Sequence, residues 1–450
     1  MSQSNTQPRF TNRALFALIL PLILEQTFAV TIGMADTLMV SSVGEAAVSG
    51  VSLVDTINTL FIQILSALSA GGAVVTSQYL GRKDYSSAQK SGGQLFMVSG
   101  LFSLFLSVPI ILLKTQILTG IYGSIEPDVM AAADTYFFLS ALSYPFIALF
   151  YSGTALFRSQ GNSKVSMIIS LVMNVTNIGG NAILIYGFGM GVKGAAIASL
   201  VSRMAAAFAV IFLHQGHHNP LRLDRLSLLV PNREMYSRIL KVGIPTGTEN
   251  GMFQFGKLAV SHLTASLGTA AIAANAVANS TSSFLNIPGN AMGLAMITVL
   301  GQTLGAGDKE EAKRYARKLM IFAYAGNAIM NLAMLLVGRQ YIIPLFNLSD
   351  EAIALCSQVV LHFNIISILC WPLSFTLPNG LRAGGDSKYT MKVGILSMWL
   401  CRVGASYLLG GYLGFGLLGI WWGMFLDWFF RSSFFLTRFF SGKWCEHKVI

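Results

Sequence analysis

Two carboxylates and a row of amides stand on stretches otherwise too apolar for them. Residues 15–40 read LFALILPLILEQTFAVTIGMADTLMV, long enough to cross a bilayer at a helical rise of about 1.5 Å for each residue. Glu25 and Asp36 interrupt that run eleven residues apart, close to three whole helical turns, so both leave nearly the same face. A carboxylate at mid-bilayer costs roughly 2.5–3.5 kcal/mol on insertion scales, which directs it to a water-filled cavity or a partner. Asn174, Asn177 and Asn181 follow at i, i+3 and i+7 on one face of another apolar stretch, and Ser199 lies on the next. Such amides either tie helices together, at about 0.6–2 kcal/mol each, or offer oxygens that, with a carboxylate, hold Na⁺ or a protonated acid. Glu249, within GIPTGTENGMFQFGKL, has Lys257 roughly two turns on. Paired, it is structural; free, it attracts a cation or carries a proton. Asp427 has Arg431 at i+4 and is read as an ion pair. Asp55, near the outer end of the second span, reads as interfacial, and Arg402 has no evident partner.

Other chemistries find little support. His214, His217 and His218 share a polar segment with no carboxylate or cysteine at ligand spacing, so no metal is assigned there. Cys356, Cys370, Cys401 and Cys445 are scattered and read as free thiols. There is no phosphate loop and no nucleophile with a base beside it, so the chain reads as a non-enzyme without a cofactor.

These residues need helices to hold them. The chain of 450 residues is 54% hydrophobic and 11% charged, against about 25% charged in a soluble domain. That composition predicts an all-α integral membrane protein. Twelve apolar runs, from 14–40 to 416–440, are candidate spans. Lys and Arg crowd the segments that are cytoplasmic if the N-terminus is, and the opposite loops hold only Lys114, Lys193 and Arg339. Both termini are therefore placed in the cytoplasm. The net charge of +11 is an orientation signal and an attraction to anionic lipid, not a mark of nucleic-acid binding.

One constant offset superposes the two halves. Pro21 meets Pro245, Glu25 meets Glu249, Gln78 and Gly81 meet Gln302 and Gly305, and Arg158 meets Arg382. Residues 1–213 and 241–450 are expected to form two six-helix bundles joined by a linker at 214–240. Six spans is an even number, so the bundles share one orientation and are related by an axis along the membrane normal, an arrangement suited to alternating access. Asp36 has no echo; Val260 stands at its matching position.

The residues resemble those of bacterial multidrug and toxic compound extrusion (MATE) transporters. The resemblance runs from Pro21 to the last span. It rests on MADTLMVSSVG, QYLGRKD, GQTLGAGDKEEA, RSQGNSK, RAGGDSK and GIPTGTE taken together. It implies a twelve-helix antiporter of the bacterial inner membrane that exports drugs or organic cations against H⁺ or Na⁺, as a monomer. By that pattern Asp36 is the coupling carboxylate, with Asn177, Asn181 and Ser199 as partners and any Na⁺ held there. Glu25, Glu249 and Asn174 then belong to the substrate cavity, and Pro21 and Pro245 to hinges. Some relatives carry Asp where this chain has Asn181, and an acid in span 10 that is missing here. A lipid-linked oligosaccharide flippase of the same superfamily is the alternative; it calls for basic residues in the cavity, and the sequence places only Lys257 and Arg402 within the membrane. A non-transporting scaffold is the other alternative.

Overall fold

A computed structural model describes residues 9–123, 126–216, 219–223, 230–341, 343–346 and 348–450. The first six helices are α1 (Asn12–Ser41), α2 (Glu45–Gly81), α3 (Tyr85–Tyr122), α4 (Pro127–Ser159), α5 (Ser163–Asn181, extended by a π turn over Ala182–Gly187) and α6 (Gly191–Gln215). The second six are α7 (Arg233–Ala265), α8 (Thr269–Leu285 and Ile287–Gly305), α9 (Lys309–Ala333), α10 (Asp350–Trp371, continued over Pro372–Thr376 and Leu377–Ala383), α11 (Ser387–Leu396, with π segments to Tyr412) and α12 (Gly416–Phe440). Among the described residues, 9 helices are long and apolar enough to span a membrane, or up to 10 if the two pieces of α8, bent by 47°, count as one. The other two, α7 and α12, are those that carry Glu249 with Lys257 and Asp427 with Arg431.

Several helices start ahead of their apolar runs because polar caps begin them. Asp84 accepts from the Ser87 amide and Asp308 from that of Glu311, the same cap in each repeat. The turn into α2 needs Gly44 at φ 134°, and the turn into α8 needs its echo Gly268 at φ 94°. Pro21 and Pro245 lie inside unbroken helices. Pro21 has no amide hydrogen for the Ala17 carbonyl. The Ser163 hydroxyl of α5 donates there at 3.5 Å and to Leu18 at 2.6 Å.

The first helix of each bundle reaches across with its opening turns. Leu15, Leu18, Ile19 and Leu22 of α1 pack into the core built by α8, α9 and α10. Met235 and Ile239 of α7 pack into the core of the first bundle. The bundles close on each other at the end that carries Arg9 and the C-terminal Ile450. There Gln78 donates to the Ala383 carbonyl at 2.8 Å, and Gln302 donates to the Ser159 carbonyl at 2.7 Å. The offset that takes Pro21 to Pro245 also takes Gln78 to Gln302 and Ser159 to Ala383, so this is one contact made twice. A Cβ on Gly81 would collide with the Gln302 carbonyl, and one on Gly305 with the Gln78 carbonyl, so only glycine permits this approach. Arg9 adds a bond to the Gly81 carbonyl at 2.8 Å.

Candidate functional site

Beyond that closed end the bundles part around a cavity of about 790 Å³. Glu25, Asp36 and Asn174 line it from the first bundle, and Glu249, Arg382 and Arg431 from the second. Phe253, Phe375 and Tyr151 supply aromatic faces. Tyr144 is buried behind them and donates to Asn58 at 2.6 Å.

Asp36 is held by neutral donors. Asn181 Nδ2 donates to it at 2.7 Å. Asn177, with its amide turned as its neighbours require, donates to both carboxylate oxygens at 2.7 and 3.0 Å and accepts from Ser199 at 3.1 Å. The i, i+4 spacing of Asn177 and Asn181 on α5 puts both amides on the face that meets α1. The Asn181 Oδ1 is buried without a partner among the described residues. The structure thus gathers Asp36, Asn177, Asn181 and Ser199. It also brings in two residues the sequence did not single out for this site. Asp55 is not simply interfacial: its charge acts on Asp36, and it accepts from Asn58 at 3.3 Å. Arg203, counted by sequence among the cytoplasmic basics, lies inside α6, donates to Ser143 at 2.6 Å and acts on both carboxylates.

The two repeated glutamates are bound differently. Arg158 Nη1 lies 3.1 Å from Glu25, whose oxygens also accept from Ser166 at 3.0 Å and Ser170 at 3.3 Å. Arg382 Nη2 lies 2.7 Å from Glu249, with Arg431 at 3.7 Å. The second pair repeats the first at the same offset, down to the hydroxyl behind each arginine: Ser166 at 3.0 Å from Arg158 and Thr390 at 3.3 Å from Arg382. Where Ser170 donates to Glu25, Gly394 leaves room; a Cβ there would lie 2.6 Å from Glu249, and Arg431 donates to the Gly394 carbonyl at 3.0 Å.

Three sequence readings change. Glu249 pairs with Arg382, not with Lys257. Arg158 and Arg382, which the sequence offered only as matching repeat positions, each stand in the last turn of a helix and turn inward to a buried glutamate. The intramembrane cations are therefore not Lys257 and Arg402 alone. Arg402 does have a partner, Asp427 at 3.1 Å, and Asp427 also binds Arg431 at 2.8 Å as its i+4 spacing suggests. His214 is buried, stacked on Phe157 with ring centroids 4.0 Å apart, and bonded to the Gly153 carbonyl at 3.1 Å. His217 and His218 lie outside the described residues.

Two helical bundles around a central polar cavity define a polytopic membrane transporter. The MatE family model matches residues 21–183 and 245–408, one match per repeat, and the chain belongs to that family. It is 28% identical over 452 residues to a probable multidrug resistance protein, NorM, of Thermotoga maritima, covering 97% of this chain and 94% of that one. It is 27% identical over 447 residues to the uncharacterized transporter YisQ of Bacillus subtilis, covering 96% and 95%. Its fold is similar to a MATE crystal structure in the bent conformation, with TM-score 0.86 at 18% identity over 96% of this chain and 94% of that one. A second similar structure is described as the outward-facing conformation of a multidrug resistance MATE transporter, with TM-score 0.85 at 18% identity and the same coverage.

Proposed function

We propose that the chain is a secondary antiporter of the bacterial inner membrane that exports drug-like organic cations in exchange for H⁺ or Na⁺ at Asp36. One observation carries this. Glu25 and Glu249, which line the central cavity with Asp36, are each tied to an arginine, whereas among the described residues Asp36 has only neutral amides as hydrogen-bond donors. A carboxylate locked to a guanidinium exchanges its partner at high cost. One held by amides can take a proton or a cation without first breaking an ion pair. The amides suit either ion. As they stand they donate to a charged carboxylate, and turned over they present oxygens, which Na⁺ prefers.

Lys and Arg placement puts both termini in the cytoplasm, which makes the closed end cytoplasmic and the cavity outward-facing. Coupling then requires that the ion at Asp36 bind one bundle arrangement better than the other. Pro21 supplies the flexible point in α1, one helix that carries both Asp36 and the contacts to the opposite bundle. Phe253 and Phe375 suit flat cations. The arginines in the cavity bring the flippase alternative closer, but Arg382 and Arg431 are taken up by Glu249 and Asp427, which argues against a phosphate site. The protein is read as acting as a monomer, with drugs and lipids as its partners.

Asp36→Asn should abolish dye efflux in inverted vesicles while leaving the protein in the membrane. Wild-type efflux by that variant overturns the proposal. Separate Na⁺ and pH gradients in the same vesicles identify the ion.

A further inference from the structure

The Asp36 site has a counterpart in the second bundle with its charges reversed. The offset that takes Pro21 to Pro245 replaces Asp36 with Val260 and Asp55 with Asn279. The same step replaces Gly33 with Lys257, Ile178 with Arg402 and Arg203 with Asp427. Two anions and one cation thus become two cations and one anion. The counterpart is not collapsed. Lys257, Val260, Asn279 and Arg402, with Asn275 and Ser261, line a cleft of about 70 Å³, room for a small ion and little more.

Two cationic donors face this cleft. Lys257 is exposed to it and has no carboxylate partner among the described residues. Arg402 is buried and uses Nε on Asp427 at 3.1 Å; its terminal nitrogens make no hydrogen bond among the described residues. Asn275 accepts from the Trp421 indole at 3.0 Å and has Nδ2 to offer, while Asn279 spends its own Nδ2 on the Asn275 backbone carbonyl at 2.8 Å. Lys257 and Arg402 are close enough for their charges to act on each other. Two like charges in one cleft of low dielectric repel, and a bound anion removes that repulsion.

We propose that this cleft binds a monovalent anion, either free halide or the carboxylate of a zwitterionic substrate. The cleft is joined to the central cavity through Phe253 and through Arg431, which lines the cavity and shares Asp427 with Arg402. Phe253 lines the cavity, and the Arg402 guanidinium stands 4.9 Å from its ring centroid. An anion drawn onto Arg402 changes what Phe253 presents to a substrate. The protein then reads opposite charges in its two bundles, a cation at Asp36 and an anion beside Lys257.

The test uses the purified full chain in sodium gluconate. Chloride or formate, each small enough for the cleft as gluconate is not, is titrated at constant ionic strength, and the thermal midpoint is followed, since a ligand of the folded state raises it saturably. Wild type should respond to at least one of the two. Lys257→Gln should raise the half-saturating concentration at least tenfold, and Lys257→Arg should restore it. A response to chloride identifies free halide as the ligand; a response to formate alone identifies a carboxylate. Asp36→Asn should keep the response while losing efflux, which separates this site from the coupling site. No saturable response in wild type overturns the proposal. So does an unchanged response in a Lys257→Gln protein whose midpoint in gluconate matches wild type.

Discussion

Glu25 and Glu249 look interchangeable in sequence, yet their surroundings predict different sensitivities. Removing one partner of a buried ion pair costs about 3–5 kcal/mol, because a charge is left without compensation. Arg158→Met should reach that range. Arg382→Met should cost less, because Arg431 at 3.7 Å remains to face Glu249. Denaturation midpoints of the two variants in the same detergent check the order, and Glu25→Gln/Arg158→Met should recover most of the loss. The glutamates and the arginines were all visible as repeat positions. That each glutamate takes the arginine of its own bundle, 133 residues along the chain, was not, because spacing says nothing about distant helices. Asp55 escaped for a related reason: a charge near the end of an apolar run reads as interfacial unless the packing beyond it is known. Arg203 stands midway along α6 and was legible as a charge inside an apolar run.

At the level of helices, α2 and α8 bear the closure, and their glycines control it. Gly81→Ala or Gly305→Ala places a methyl against a backbone carbonyl that cannot yield cheaply. Either change should shift the protein toward opening at the end holding Arg9 and Ile450. In a background lacking its own cysteines, Ala73→Cys, buried between the bundles, should then label faster with a maleimide applied from that side. Unchanged labelling would mean that the contact does not hold the bundles together. The caps are a milder matter: Asp84→Ala should cost about 1 kcal/mol at the start of α3. Asp84 is held below the usual carboxylate range by the Ser87 amide, so what the charged cap contributes is present at neutral pH and is lost as pH falls through that depressed value. The helices themselves were legible from apolar run length. Their polar ends were less so, since caps such as Asp84 and Asp308 add turns that hydropathy does not see. The 47° bend in α8 fell inside one apolar run and left no break in hydropathy, although Pro288 stands just past it.

For the whole molecule, the constant offset between the halves was enough to expect two bundles of equal orientation. It could not show that the opening turns of α1 and α7 reach across to the opposite core, because their apolar residues would suit either. That reach, together with the reciprocal bonds of Gln78 and Gln302, means each half keeps the complement of the other on its own surface. The peptide link between halves therefore contributes proximity more than recognition. A chain severed after Leu223 and produced as two polypeptides should still assemble and transport, with tagged halves recovered together. The first half alone carries both Gln78 and the Ser159 carbonyl that Gln302 finds, so two copies of it could clasp each other in the same manner. The handshake that closes this molecule is thus one that a single unduplicated bundle could have made with its twin.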